Sequence, residues 1–278
     1  MTREPRWLVD GQPGGLVHPD DRGFAYGDGL FETIAWRSAG PRFLDRHLQR
    51  LARGCVRLGM PAPDAATLER EIIALAAGAS HGTVRLTLTR GRGPRGYAPP
   101  GDPNPSRVLA FYPGPVPEPP AGGLAVLRCQ TPASINPALA GMKTLNRLDN
   151  VLARAELART GSDEGIMCGA SGQVIGATSA NVFVVRGGVL LTPDLSQGGV
   201  AGIMRSLVLE CARERGIATR ETCMDVVMLQ DADEMFLTNA LTGLRPVASY
   251  AGQPFPGRQL TRVLAQALRE RGVPEACA

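Results

Sequence analysis

Apolar residues recur along this chain at two spacings, and the switches between them mark out its elements. Leu44, Leu48, Leu51, Cys55 and Leu58 fall at helical spacing, which predicts a helix over 44–58. Asp45 suits its first turn, where an acid complements the helix dipole. A second helix is expected over 64–77. Over 83–89, Val84, Leu86 and Leu88 alternate with Thr83, Arg85, Thr87 and Thr89, the period of a half-buried strand. Shorter apolar runs predict strands at 7–9, 30–36, 108–112, 124–129, 165–168, 173–175, 181–185, 189–191 and 234–238. Further helices are expected at 146–159, with Leu148, Leu152, Ala155 and Leu157 or Ala158 inward, at 200–215, where Gly216 ends the pattern, and at 259–271. Residues 89–100 are too rich in glycine and proline for anything but a loop.

Pro113 to Gly123 holds five prolines in eleven residues, a stretch that can join neither a helix nor a central strand. It divides the chain into an N-terminal α/β domain over 1–115, a linker over 116–123 and a larger C-terminal domain over 124–278, to which Lys143 is assigned. A ligand site in the cleft between two such domains is the expectation. At 278 residues and 44% hydrophobic content, both halves have material for a core.

Net charge is +4 with no basic tract or aromatic–basic interleaving, so nothing points to nucleic acid. Cys55, Cys129, Cys168, Cys211, Cys223 and Cys277 form no CxxC pair and lie far from His18, His47 and His81, which argues against a zinc site or a disulfide framework. They are expected to be small core hydrophobes. The N-terminus has no apolar signal-type run and no stretch approaches transmembrane length, so a soluble cytoplasmic protein is expected. Trp7, Trp36 and His47 are read as packing or helix-surface residues.

One residue changes the picture. The chain carries 30 Lys plus Arg, and Lys143 is its only lysine. Arginine stays protonated at any working pH, whereas a lysine can lose its proton and act as nucleophile or base. Arg46, Arg50, Arg53 and Arg57 share one helix face, either a solvated basic face or a grip on an anion. Arg92, Arg95 and Tyr97 lie on the loop that leaves the strand at 83–89, where a guanidinium can hold a carboxylate by paired hydrogen bonds. Gly202-Ile203-Met204 opens a helix with free backbone N–H groups, which suits a phosphate.

Together these pieces resemble the fold-type IV (class IV aminotransferase) group of pyridoxal-phosphate enzymes. The carrying residues are Asn181-Val182-Phe183, Leu190-Leu191-Thr192, Val200-Ala201-Gly202-Ile203-Met204-Arg205, His47-Leu48-Gln49-Arg50-Leu51 and Lys143. Within the group the likeness is closest to the aminodeoxychorismate lyases, through residues 139–148, 92–99 and Thr238-Asn239-Ala240-Leu241. The resemblance implies a two-domain α+β fold, pyridoxal 5'-phosphate as cofactor, a homodimer, and cleavage of 4-amino-4-deoxychorismate to 4-aminobenzoate and pyruvate in folate synthesis. It further implies that Lys143 is the Schiff-base lysine, and that Arg50, Gly202, Ile203, Met204, Asn239 and Ala240 hold the cofactor. Arg95, Tyr97 and Arg92 are implied to orient the substrate. The alternatives are a D-amino-acid or branched-chain transaminase, or a cofactor-binding homologue without catalysis.

One departure matters, and Phe24, where a lyase is expected to carry a polar residue, is a second and smaller one. The group's signature opens with a glutamate that pairs with the pyridine nitrogen, and that position here is Gly176. No carboxylate lies between Glu164 and Asp194. A water, a hydroxyl such as that of Thr178 or Ser179, or a distant acid are the candidate replacements.

Overall fold

A computed structural model describes residues 4, 6–115 and 118–278. The chain forms two compact units, Met1–Val116 with Met142–Asn146, and Pro117–Gly141 with Arg147–Ala278. In the expected linker, residues 116 and 117 lie outside the described residues, and 118–123 form neither helix nor strand.

The first unit comprises β1 (Arg6–Val9), β2 (Gln12–Pro13), α1 (Arg22–Tyr26), β3 (Gly29–Arg37), β4 (Gly40–Pro41), α2 (Leu44–Leu58), α3 (Ala65–Ala76), β5 (Gly82–Thr89) and β6 (Arg107–Pro113). Its sheet runs β2-β1-β6-β5-β3-β4 with every pair antiparallel. The alternation read over 83–89 is realised in β5, where Val84, Leu86 and Leu88 are buried. Helix α2 lies close on β3 because Gly54 has no side chain. A Cβ there would run into Leu30. Trp36 is buried and its indole N–H donates to the Ala79 carbonyl at 2.8 Å, but Trp7 is half exposed on the short strand β1 rather than packed.

The second unit comprises β7 (Leu124–Arg128), α4 (Leu148–Thr160), β8 (Glu164–Cys168), β9 (Val174–Ala177), β10 (Asn181–Arg186), β11 (Val189–Pro193), α5 (Ile203–Glu214), β12 (Thr219–Thr222), α6 (Val226–Gln230), β13 (Glu234–Asn239), β14 (Gly243–Tyr250), β15 (Gln253–Pro254) and α7 (Gln259–Glu270). Its strands follow the order β12-β11-β10-β13-β14-β7-β8-β9, with β15 beside β14. The β7–β8, β7–β14 and β11–β12 pairs are parallel and the rest antiparallel. Both units are thus mixed α+β.

Strand β14 escapes the sequence pattern because Arg245 and Pro246 interrupt it. Arg245 is nevertheless buried, with Nη1 on the Glu275 carbonyl and, at 3.2 Å, on Cys277 Sγ. The inward face of α4 also differs from expectation. Ala153 and Leu157 are buried, whereas Leu148, Val151 and Leu152 are exposed. Leu157 sits so close to Gly165 of β8 that a Cβ there would meet both it and Cys129, so the tight contact selects the small-residue face. Of the cysteines, Cys55, Cys129, Cys168 and Cys211 are buried, Cys277 is half-buried and Cys223 is exposed.

Candidate active site

In the first unit the site is built on the start of β3. Lys143 lies in a connecting segment that pairs with that strand. The Phe31 N–H donates to the Lys143 carbonyl at 2.9 Å, the Leu145 N–H donates to Gly29 at 3.0 Å, and Leu30 bridges Thr144. This pairing, flanked by buried Met142 and Thr144, places the lysine in the first unit and not with the C-terminal domain. Its Nζ stands 4.1 Å from the Phe31 ring centroid, a cation–π distance, and Arg85 reaches the same ring at 4.1 Å.

Beside it α2 contributes His47 and Arg50, one turn apart and both buried. Arg50 is no solvated surface charge. Its Nε and Nη2 donate to Glu32 Oε1 and Oε2 at 2.8 and 2.5 Å. His47 is no surface residue either, because its Nδ1–H donates to Glu32 Oε2 at 2.6 Å. Arg46 is half-buried, while Arg53 and Arg57 are exposed, so the basic face read from the sequence splits. Burial pushes the Glu32 carboxyl up, but hydrogen bonds from Arg50 and His47 outweigh it and leave the group below its ordinary value. Burial pushes His47 down, and the opposing pull of Glu32 does not restore it, so the imidazole is neutral near pH 7. Glu32 was not singled out in the sequence, and His47 was read there only as a packing or helix-surface residue. The available signal was His47 three residues before Arg50, on the side of the helix that carries Leu51.

The loop after β5 is held by a buried arginine. Arg22 donates Nε to Asp28 at 2.9 Å, Nη1 to the Gly96 and Ala98 carbonyls at 2.9 and 3.2 Å, and Nη2 to the Tyr97 carbonyl at 3.0 Å. The Tyr26 hydroxyl accepts from the Gly96 N–H at 2.8 Å, and the Tyr26 and Tyr97 rings meet edge to face at 5.6 Å. On this clamped loop Arg95 and Tyr97 point to solvent. Arg92 is engaged instead by Asp20, through Nε at 2.9 Å and Nη2 at 3.0 Å.

In the second unit α5 begins at Gly202 with no side-chain cap and no acid in its first turn. Its first N–H groups, those of Ile203 and Met204, therefore keep their donor capacity at a buried helix start. Gly202 is required, because a Cβ would run into Asn181 Oδ1. Asn181 holds the approach by donating Nδ2 to the Val200 carbonyl at 2.9 Å. Asn181 is the direct partner of Thr238 in the antiparallel β10–β13 pair, so both side chains share a face. Thr238 Oγ1 is buried there without a hydrogen-bond partner among the described residues. Next along the chain, Asn239 Oδ1 accepts from the Leu241 and Thr242 N–H groups at 3.0 and 2.9 Å and shapes the turn that carries Ala240. The β10–β13 pairing thus sets Thr238, the residue before Asn239, opposite Asn181, whose side chain abuts Gly202.

The chain belongs to the class IV aminotransferase family, whose profile matches residues 29–250. It is 32% identical to the aminodeoxychorismate lyase of Vibrio harveyi, covering 92% of this chain and 97% of that one. A crystal structure of 4-amino-4-deoxychorismate lyase from Pseudomonas aeruginosa superposes with a TM-score of 0.88 at 41% identity, over 96% of this chain and 99% of that chain. The D-alanine aminotransferase of Bacillus licheniformis is 28% identical over 85% of this chain and 84% of its own length.

Proposed function

We propose that this chain is a pyridoxal-phosphate-dependent lyase converting 4-amino-4-deoxychorismate to 4-aminobenzoate and pyruvate. The observation that carries the reading is Lys143, the only lysine of the chain, pinned by backbone pairing against β3. The residues fit the cofactor. A primary amine stands ready for its aldehyde. The uncapped start of α5, with the unpartnered Thr238 hydroxyl on the same face as Gly202's neighbour Asn181, suits its phosphate. Bound there, the cofactor supplies the electron sink that makes the substrate's C–H bond acidic.

The chain's own residues do the rest. Lys143 Nζ would hold the cofactor through its aldehyde and, once free, would take the proton from the substrate carbon bearing nitrogen. It must be uncharged at that moment. The Ile203 and Met204 N–H groups would hold the phosphate. Arg50, already orienting two of its nitrogens on Glu32, adds positive charge to the same task. Asn239 and Ala240 shape the neighbouring wall. Arg95 and Tyr97 would orient a substrate carboxylate from the clamped loop, and Arg92 could join them only by leaving Asp20. Expulsion of the enolpyruvyl ether, with a proton delivered to it, leaves an aromatic ring, and that aromaticity drives the step.

The similarity to D-alanine aminotransferases supports one second reading, a transaminase on the same site. Mixing the protein with pyridoxal phosphate and aminodeoxychorismate separates the two. Equal release of 4-aminobenzoate and pyruvate, abolished in Lys143→Ala, is expected. No release, with the cofactor's visible absorption band still present, would reject the lyase and turn the search to D- and branched-chain amino acids. We also infer a homodimer, supported by the exposed apolar face of Leu148, Val151 and Leu152 on α4. A sedimentation mass near the 29.4 kDa of one chain would refute it.

A further inference from the structure

We propose that Asn150 replaces the carboxylate missing at Gly176 and accepts the hydrogen bond of the cofactor's ring nitrogen. The inference rests on the cofactor reading above. Asn150 sits in the first turn of α4, and its amide lies over the β8–β9 pair. Nδ2 donates to the Thr178 carbonyl at 2.9 Å and touches Met167 Sδ at 3.4 Å. Because that carbonyl can only accept, the amide is fixed with nitrogen toward it and oxygen away. The oxygen, Asn150 Oδ1, is buried and has no partner among the described residues. A buried acceptor left empty is costly, so a donor belongs there when the site is filled.

The place of that oxygen identifies the donor. Met167 is the direct antiparallel partner of Gly176. Paired residues project to the same face, so a side chain at 176 would rise beside Met167, on the side where Asn150 contacts it. Nothing but the Ala180 carbonyl, at 3.3 Å, would meet a Cβ at Gly176. The glycine therefore leaves room on that face, and the Asn150 acceptor borders it.

Glu164, the nearest acid in sequence, is already committed. The Gly165 N–H donates to its Oε1 at 2.9 Å, the Thr178 hydroxyl donates to the same oxygen, and the Ser179 hydroxyl donates to Oε2 at 2.5 Å. Thr178 and Ser179 thereby spend their protons on Glu164. An amide oxygen differs from a carboxylate in one respect that matters: it accepts a hydrogen bond without adding negative charge. It orients the ring nitrogen but holds the nitrogen's proton less firmly. Such a site loses less in a reaction driven by formation of an aromatic product than in one that must store electrons in the ring.

The test compares binding of pyridoxal phosphate with that of its 1-deaza analogue, in which CH replaces the ring nitrogen, to the full-length apo protein by equilibrium dialysis. Asn150→Ala is expected to weaken pyridoxal phosphate by about tenfold, the scale of one net hydrogen bond, and to leave the deaza analogue unchanged. Equal weakening of both compounds would overturn the assignment, since it would mean Asn150 only supports the fold. Asn150→Asp keeps the size and restores a charge. It should tighten pyridoxal phosphate selectively and move the ring ¹⁵N resonance toward its protonated position, and an unmoved resonance would count against the proposal. If the unaltered protein binds neither compound, the cofactor reading falls first, an outcome distinct from equal weakening.

Discussion

Glu32 is the residue on which the first unit's site turns. Its two oxygens take Arg50 and His47, and all three side chains are buried. Removing one partner of a buried pair leaves the other charge uncompensated. Glu32→Gln is therefore expected to destabilise the protein by about 3–5 kcal/mol in urea unfolding. It should also weaken phosphate binding by releasing Arg50 from its set orientation. A loss below about 1 kcal/mol, typical of exposed pairs, would show that the pair is not desolvated. At Gly176 the prediction concerns chemistry. Gly176→Glu needs the Ala180 carbonyl to yield by only a few tenths of an ångström. It should raise transamination more than lyase turnover, because the lyase draws part of its driving force from the aromatic product and leans less on electrons stored in the ring. Equal changes in the two rates would sink the argument.

Among the elements, the loop after β5 owes its shape to one side chain. Arg22 binds three loop carbonyls and Asp28, and Asp28 also accepts from Arg90 Nε at 2.7 Å. Arg90 in turn caps α2 through the Leu58 and Gly59 carbonyls at 2.8 and 3.1 Å. The loop that presents Arg95 and the helix that presents Arg50 are tied through one carboxylate. Arg22→Met should free the loop, with amide exchange at Gly96 and Tyr97 faster by about tenfold or more, each lost charge-assisted hydrogen bond counting about 1.5–3 kcal/mol. The KM for a carboxylated substrate should rise while cofactor affinity holds. If the loop loosens and KM does not move, the loop does not touch the substrate. Uniform exchange gains across the first unit would instead show that Arg22 merely supports the fold.

At the scale of the whole molecule the buried ionisable groups set the response to acid. Burial pushes the Asp28 carboxyl up, but hydrogen bonds from Arg90 and Arg22 leave it below its ordinary 3.8. Glu32 likewise lies below its ordinary 4.5, and burial holds His47 below 6.5. In each case the unfolded chain takes up a proton at a higher pH than the folded one. The stabilisation is complete above the ordinary value and is lost as pH falls through the folded-state value. The thermal midpoint should begin to fall below pH 6.5 through His47 and drop further below 4.5 and then 3.8 through the carboxylates. In His47→Gln the first decline should vanish. A midpoint that rises between pH 6.5 and 5 would contradict the assignment. No helix among the described residues is long and apolar enough to cross a membrane.

Local pattern by itself determined most elements of both units. The apolar spacing over 44–58 became α2 with the same ends, and the alternation over 83–89 became β5. Those signals are carried by neighbours in the chain, where periodicity alone decides which face is buried. Lys143 was legible as the only lysine, and the uncapped helix at Gly202 by its glycine. What the sequence could not decide was which polar groups share a partner. Glu32, His47 and Arg50 meet because strand β3 and helix α2 pack, and the lysine joins the first unit because residues 142–146 pair with that strand. Burial of Ala153 rather than Leu152 on α4 follows from the contact with Gly165, eight residues beyond Leu157. Hydrogen bonds between distant side chains depend on positions in space to within an ångström, and only the tertiary structure sets those. Asn150 carries no signal in sequence, because its unpartnered oxygen exists only once α4 lies over β8 and β9.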